Sequence, residues 1–116
     1  MKRGDIVLVA FPYVDGGRGK NRPALVVQHD RDNQRLTNTI VAMISGNVRH
    51  AGEPTQALVD PRLPAGASSG LHGPSVVKSN NLFTIRQQDV QRVLGSLSDP
   101  LLREVDQGLR AALGLS

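Results

Sequence analysis

The chain alternates short apolar runs with polar, turn-rich stretches, and its apolar period changes once, near the end. Residues 6–11 follow a Gly4-Asp5 turn pair and stop at Pro12, a pattern that predicts a first strand. Ala24-Leu25-Val26-Val27 is continuously apolar, as expected of a strand buried on both faces or the central strand of a small barrel. Pro23 has no N–H for a ladder, so it is expected at the first strand position or on an edge. Further strands are predicted over 39–45, 57–59, 75–78, 82–85 and 93–97, with Ser79-Asn80-Asn81 separating the third and fourth of these from each other. Residues 29–38 read as a polar turn region, 46–55 and 60–74 as loops, and 86–89 as a turn or single helical turn. From Asp99 the period becomes helical. Asp99 can cap, Pro100 suits the first helical position, and Leu101, Leu102, Val105, Leu109, Ala112 and Leu113 fall on one stripe ended by Gly114. Gly108 inside that helix costs about 1 kcal/mol relative to alanine, which points to a close packing contact. Many short strands and one late helix imply a mainly β (α+β) fold: a small, strongly bent sheet or barrel, closed or covered by the C-terminal helix.

The length of 116 residues suits one domain, 1–116, with a small core that buries roughly 65% of the unfolded surface. One Tyr, two Phe and no Trp leave the core to aliphatic side chains. The 14 basic residues against 10 acidic ones give a net charge of +4 and suit a polyanionic partner. Eleven of the 14 are arginine, which forks onto phosphate where lysine is a point charge. The absence of cysteine excludes disulfides and thiolate metal sites. No apolar stretch approaches the ~20 residues that span a bilayer, so a soluble cytoplasmic protein with no membrane contact is expected.

Three polar clusters could carry chemistry. Arg22 stands at the mouth of the second strand, delivered by a loop (12–21) that also holds Gly16, Gly17, Gly19, Arg18 and Lys20. Its plainer reading is an ordinary surface arginine. A phosphate-binding P-loop is excluded, because the required first glycine falls on Val14 and Asn21 replaces the Ser/Thr. Ser45 ends the third strand, where it either serves a site or simply forms the turn before Gly46. Lys78 to Asn81 follows another strand. If the second and third strands are antiparallel neighbours, the start of one adjoins the end of the other, and a guanidinium and a hydroxyl share one surface. His29, His50 and His72 stand singly in loops, so metal ligation is not expected. No nucleophile-elbow pattern is present, and two Glu with turn-bound Asp residues make a poor pair of glycosidase carboxylates. Phe11, Tyr13 and Phe83 are too dispersed for a base-stacking platform.

Taken together, the Lys2-Arg3-Gly4-Asp5-Ile6 start, Arg22-Pro23-Ala24-Leu25-Val26-Val27-Gln28 and Ile40-Val41-Ala42-Met43-Ile44-Ser45 resemble the MazF/PemK family of toxin endoribonucleases. Ser75-Val76-Val77, Thr84-Ile85, Leu94-Gly95-Ser96-Leu97 and the Val105 to Leu109 segment agree in order, so the resemblance runs from end to end.

That resemblance implies an SH3-like barrel with a C-terminal helix, a homodimer, and metal-independent, cofactor-free cleavage of single-stranded RNA (mRNA) at short sequences. It assigns catalysis to Arg22 and Ser45, the latter where the family usually has Thr. RNA contacts are expected at Arg18, Lys20, Asn21, Gln28, Lys78 and Asn80, of which Lys78 and Asn80 match family positions just after a later strand. The chemistry implied is attack of the RNA 2′-hydroxyl on its own phosphodiester, giving a 2′,3′-cyclic phosphate and a 5′-hydroxyl. A guanidinium and a hydroxyl suit the charge-rich phosphorane. A guanidinium is a poor base at neutral pH, and Asn80 stands where some members have an acid, so the general base is not identified. The resemblance also implies a cognate antitoxin with an acidic disordered tail. Two other readings stay open at this point. One is a gyrase-poisoning toxin like CcdB, whose Trp-Gly-Ile ending this chain lacks, since it closes on Gly114-Leu115-Ser116. The other is a plain nucleic-acid-binding barrel.

Overall fold

The computed structural model describes residues 1–11 and 20–116. In chain order they form β1 (Asp5–Phe11), β2 (Lys20–Val26), α1 (Asp30–Arg35), β3 (Asn38–Ser45), β4 (Gln56–Val59), β5 (Ser75–Arg86), β6 (Val90–Ser96) and α2 (Asp99–Leu113). The strands make one antiparallel sheet in the order β4-β5-β3-β2-β1-β6. Its two outer strands, β4 and β6, are not paired with each other, so the sheet is open and no closed barrel forms. It is nonetheless tightly curled. Phe11 on β1 and Phe83 on β5 are three strand positions apart, about 14 Å in a flat sheet, yet their ring centroids lie 5.2 Å apart.

Side chains alternate between the two faces of each strand, and here both faces are apolar. Val7, Val9, Phe11, Ala24, Val26, Val41, Met43 and Ile85 fill the hollow of the curl. Ile6, Leu25, Val27, Ala42, Ile44, Ala57, Val59 and Val77 face the other way and pack with Leu97, Leu101 and Val105. Each fully buried aliphatic side chain stabilises the fold by about 1.5–3 kcal/mol. This two-sided burial is why residues 24–27 are continuously apolar.

Helix α2 lies over the second face. Its apolar stripe is narrower than the period suggests, because Leu113 is exposed. Gly108 is buried against β5: a Cβ there would stand 2.8 Å from Ser79 Oγ, so the expected close contact is present. The helix begins one residue earlier than expected. Ser98 is its cap position and makes no side-chain cap bond, while Asp99 lies in the first turn and Gly114 closes the helix in the left-handed conformation at φ 70°. Arg3 ties the N-terminus to this helix, its Nη2 donating to Asp106 Oδ1 at 2.6 Å and its Nε to the Val27 carbonyl at 2.8 Å.

Four other expectations change. Strand β2 starts at Lys20, so Pro23 lies mid-strand opposite Leu8. The β2–β3 pairs stop at Ala24↔Met43, so Pro23 sits just beyond them and its missing N–H interrupts none of those pairs. The polar stretch after β2 holds the short helix α1, with Asp30 and Asp32 in its first turn and Arg35 in its last, and His29 Nδ1 accepts from the Arg31 N–H. The strands at 75–78 and 82–85 are one strand, β5, whose register against β3 jumps from Lys78 to Leu82 and leaves Ser79, Asn80 and Asn81 as an insertion. Strand β6 starts at Val90 rather than Val93. The long 60–74 loop is docked on β6: Ser96 N–H donates to Ser68 O at 2.9 Å, and Gly70, at φ 74°, lies where a Cβ would meet Leu94 O.

Candidate active site

Arg22 and Ser45 lie on one face of adjacent strands. The β2–β3 register runs Val26↔Val41, Leu25↔Ala42, Ala24↔Met43. Two residues further along each strand stand Arg22 and Ser45, on strand ends that the antiparallel order brings side by side. Arg22 shares the hollow face with Ala24 and Val26, and Ser45 shares it with Val41 and Met43. Beyond Arg22 the row continues to Val9 on β1, and beyond Ser45 to Val76 on β5. Hydrophobic neighbours therefore flank both polar groups at the open end of the curl. Arg22 is half-buried, with Nε shielded from solvent.

Ser45 is half-buried and its Oγ accepts from the Asn47 N–H at 3.1 Å. The turn-forming reading of this serine is thus correct as far as it goes. The same bond occupies the oxygen and leaves the hydroxyl hydrogen to donate elsewhere. Asn47 Oδ1 in turn accepts from Arg49 N–H at 3.1 Å, which stiffens the start of the next loop.

Lys78 lies opposite Met43 on β5, on the same face and one row in from Ser45. Asn80, in the β5 insertion, is exposed, and its Oδ1 accepts from Gln56 Nε2 at 3.2 Å. Gln56 pairs with Lys78 across β4–β5, which brings it to this face as well. No sequence signal marked Gln56, because its place depends on which strand pairs with β4.

Two of the sequence-derived residues lie elsewhere. Asn21 is exposed one residue before Arg22, and neighbouring residues face opposite ways. It lines a cleft of about 400 Å³ with Leu8, Pro23, Leu71, His72 and Arg92. Gln28 lies six residues along the chain from Arg22, about 20 Å in extended conformation. Its Nε2 is spent on Asn33 Oδ1 at 3.0 Å and Asn38 O at 2.9 Å. It braces α1 together with buried Asn33 and Thr39, whose Oγ1 donates to Asn33 Oδ1 at 2.6 Å. Arg18 and the side chain of Lys20 lie outside the described residues.

The displaced carboxyl groups lie away from this face. Arg31, then Arg35, hold Asp32 down to about 2 from 3.8. The Arg3 N–H lowers Asp30, and the Arg62 side chain lowers Asp60. Among the described residues no three His, Cys, Asp or Glu side chains cluster as metal ligands, and no helix is long and apolar enough to cross a membrane.

An open, curled antiparallel sheet backed by a C-terminal helix, with a guanidinium and a hydroxyl at adjoining strand ends, defines a known class. Residues 2–113 match the family model described as PemK-like, MazF-like toxin of type II toxin–antitoxin systems, and the chain belongs to that family. It is 30% identical over 116 residues to Endoribonuclease EndoA of Bacillus subtilis, covering 99% of this chain and 96% of that protein. Among solved structures it is similar to the Mycobacterium tuberculosis toxin MazF-mt6, with a TM-score of 0.78 at 29% identity over 97% of this chain and 98% of that one. A mycobacterial endoribonuclease in complex with its cognate antitoxin shares the fold at a TM-score of 0.81 and 21% identity, over 100% of this chain and 97% of that one.

Proposed function

We propose that this chain, acting as one domain, is a toxin endoribonuclease that cuts single-stranded RNA, mRNA included, at short sequences and without a metal or cofactor. The carrying observation is the placement of Arg22 and Ser45 on one face at adjoining strand ends, in a chain whose family match spans 2–113. The family match favours this class over the gyrase-poisoning and plain nucleic-acid-binding readings.

In the reaction the 2′-oxygen bonds to phosphorus as the bond from phosphorus to the 5′-oxygen breaks. The 2′-hydroxyl loses a proton and the departing 5′-oxygen gains one. Arg22 neutralises the charge on the non-bridging oxygens and hydrogen-bonds the leaving oxygen. Ser45, its oxygen already held by the Asn47 N–H, donates its hydrogen to a non-bridging oxygen. Apolar Val9 and Val76 on either side lower the local polarity and strengthen both interactions. Lys78, on the same face, contacts a neighbouring phosphate. Arg18 and Lys20 contact the RNA backbone through their positive charge.

The toxin works in the cytoplasm as a homodimer. Leu58 and Val93, exposed on the outer strands, are apolar surface that a second copy can cover. Its net charge of +4 suits a cognate antitoxin whose acidic disordered tail folds over the basic face.

The test is incubation of purified protein with single-stranded RNA in EDTA. Cleavage by the wild-type chain, lost in a folded Arg22→Ala variant, is the expected result. Intact RNA across varied sequences, with folded protein in the tube, would overturn the proposal.

A further inference from the structure

The amide pair formed by Gln56 and Asn80 shares the face of Arg22 and Ser45 and has no part in the reaction. Gln56 Nε2 donates to Asn80 Oδ1 at 3.2 Å and to Thr55 Oγ1 at 3.1 Å, so both of its amide hydrogens are used. Its Oε1 is buried and accepts no hydrogen bond. Gln56 therefore has no group left for a ligand. Asn80 is the opposite case. It is exposed, and because its Oδ1 turns to Gln56, its Nδ2 group turns outward with two N–H donors.

The backbone under Asn80 is pinned as well. Ser79, its neighbour, is 1% exposed and packs under Gly108 of α2, and the Ser79 N–H donates to the Thr55 carbonyl at 3.0 Å. Backbone and amide plane are thus fixed separately, the first by α2 and Thr55, the second by Gln56. An amide fixed in this way costs little to order when it binds.

We propose that Gln56 is a positioning residue that sets Asn80 as a hydrogen-bond donor toward a base neighbouring the scissile phosphate, and so determines one position of the cleavage sequence. The inference rests on the RNA-cleaving reading above. The base that fits two outward N–H groups is one with paired acceptors, as on the N7/O6 edge of guanine. Splayed single-stranded bases expose such edges to side chains.

The test is the sequence profile of a random single-stranded RNA pool, read in two ways. Cut ends are sequenced, and sequences retained from a pool blocked at the 2′-oxygen are sequenced separately. The wild-type chain is expected to favour guanine at one flanking position. In Gln56→Glu the carboxylate only accepts, so Asn80 must turn its Nδ2 inward and present Oδ1. Preference at that one position then moves by roughly tenfold toward an amine-bearing base, adenine or cytosine, with the other positions unchanged. Gln56→Met releases the amide and makes the same position indifferent, and it serves if the buried carboxylate prevents folding. The inference is overturned if both variants keep the wild-type profile, or lower binding and cutting at all sequences by one common factor. A wild-type chain that neither binds nor cuts the pools would instead bring down the nuclease reading, and this inference with it.

Discussion

Arg22 and Ser45 each stand two residues beyond the Ala24↔Met43 pair of β2 and β3, on the hollow side of the curled sheet. If both groups stabilise one phosphorane, their contributions are not independent. Arg22→Ala and Ser45→Ala are each expected to slow single-turnover cleavage by roughly 10²- to 10³-fold. The double variant is expected to fall well short of the product of the two. Ser45→Thr keeps the hydroxyl and is expected to stay active. Rates that multiply fully would show that the two residues act at separate places.

That pairing was legible in the sequence because it needs only two facts. Residues 24–27 and 39–45 look like strands, and neighbouring antiparallel strands bring the start of one to the end of the other. Other features depend on partners that no pattern names. The insertion at Ser79, Asn80 and Asn81 looks like a break between strands until β3 is seen to run past it. Gln56 reaches the site only because β4 pairs with β5 in that register. Helix α1 has no apolar stripe, and its only signals are acids in the first turn and Arg35 in the last. Gln28, at the end of the Arg22–Gln28 stretch, is expected from the sequence to contact RNA, but Asn33 of α1 and the Asn38 carbonyl of β3 take its amide.

Asp32 gives a pH dependence with a definite sign. Its carboxylate takes hydrogen bonds from Arg31 at 3.2 Å and Arg35 at 2.9 Å, and its folded pKa of about 2 lies below the ordinary 3.8. Between those values the unfolded chain binds the proton first. The stabilisation is therefore complete above the unfolded value and is lost as pH falls toward about 2. The melting temperature is expected to drop between about pH 5 and about pH 2.5. Asp32→Asn should make that drop shallower and leave the profile above the window unchanged in shape. An identical acid limb in the variant would refute the assignment.

Gly108 tests the seating of α2 on β5. In an open helix interior, Gly→Ala stabilises by about 1 kcal/mol. Here the new Cβ would lie 2.8 Å from Ser79 Oγ, 3.3 Å from Ser79 Cβ and 3.4 Å from Thr55 O. Overpacking of this kind costs about 1–3 kcal/mol, so Gly108→Ala is expected to lower the melting temperature. Adding Ser79→Ala removes the closest atom and should recover part of the loss. A more stable Gly108→Ala protein would mean that the helix is not held this closely.

The most direct measurement is the chemical identity of the ends produced from a defined single-stranded RNA in EDTA, read by mass spectrometry for the wild-type chain, Arg22→Ala and Ser45→Ala. The wild-type chain is predicted to leave 2′,3′-cyclic phosphate and 5′-hydroxyl ends, with the same ends appearing roughly 10²- to 10³-fold more slowly from Arg22→Ala and from Ser45→Ala. Ends carrying a 5′-phosphate, or undiminished cutting by both variants, would contradict the account.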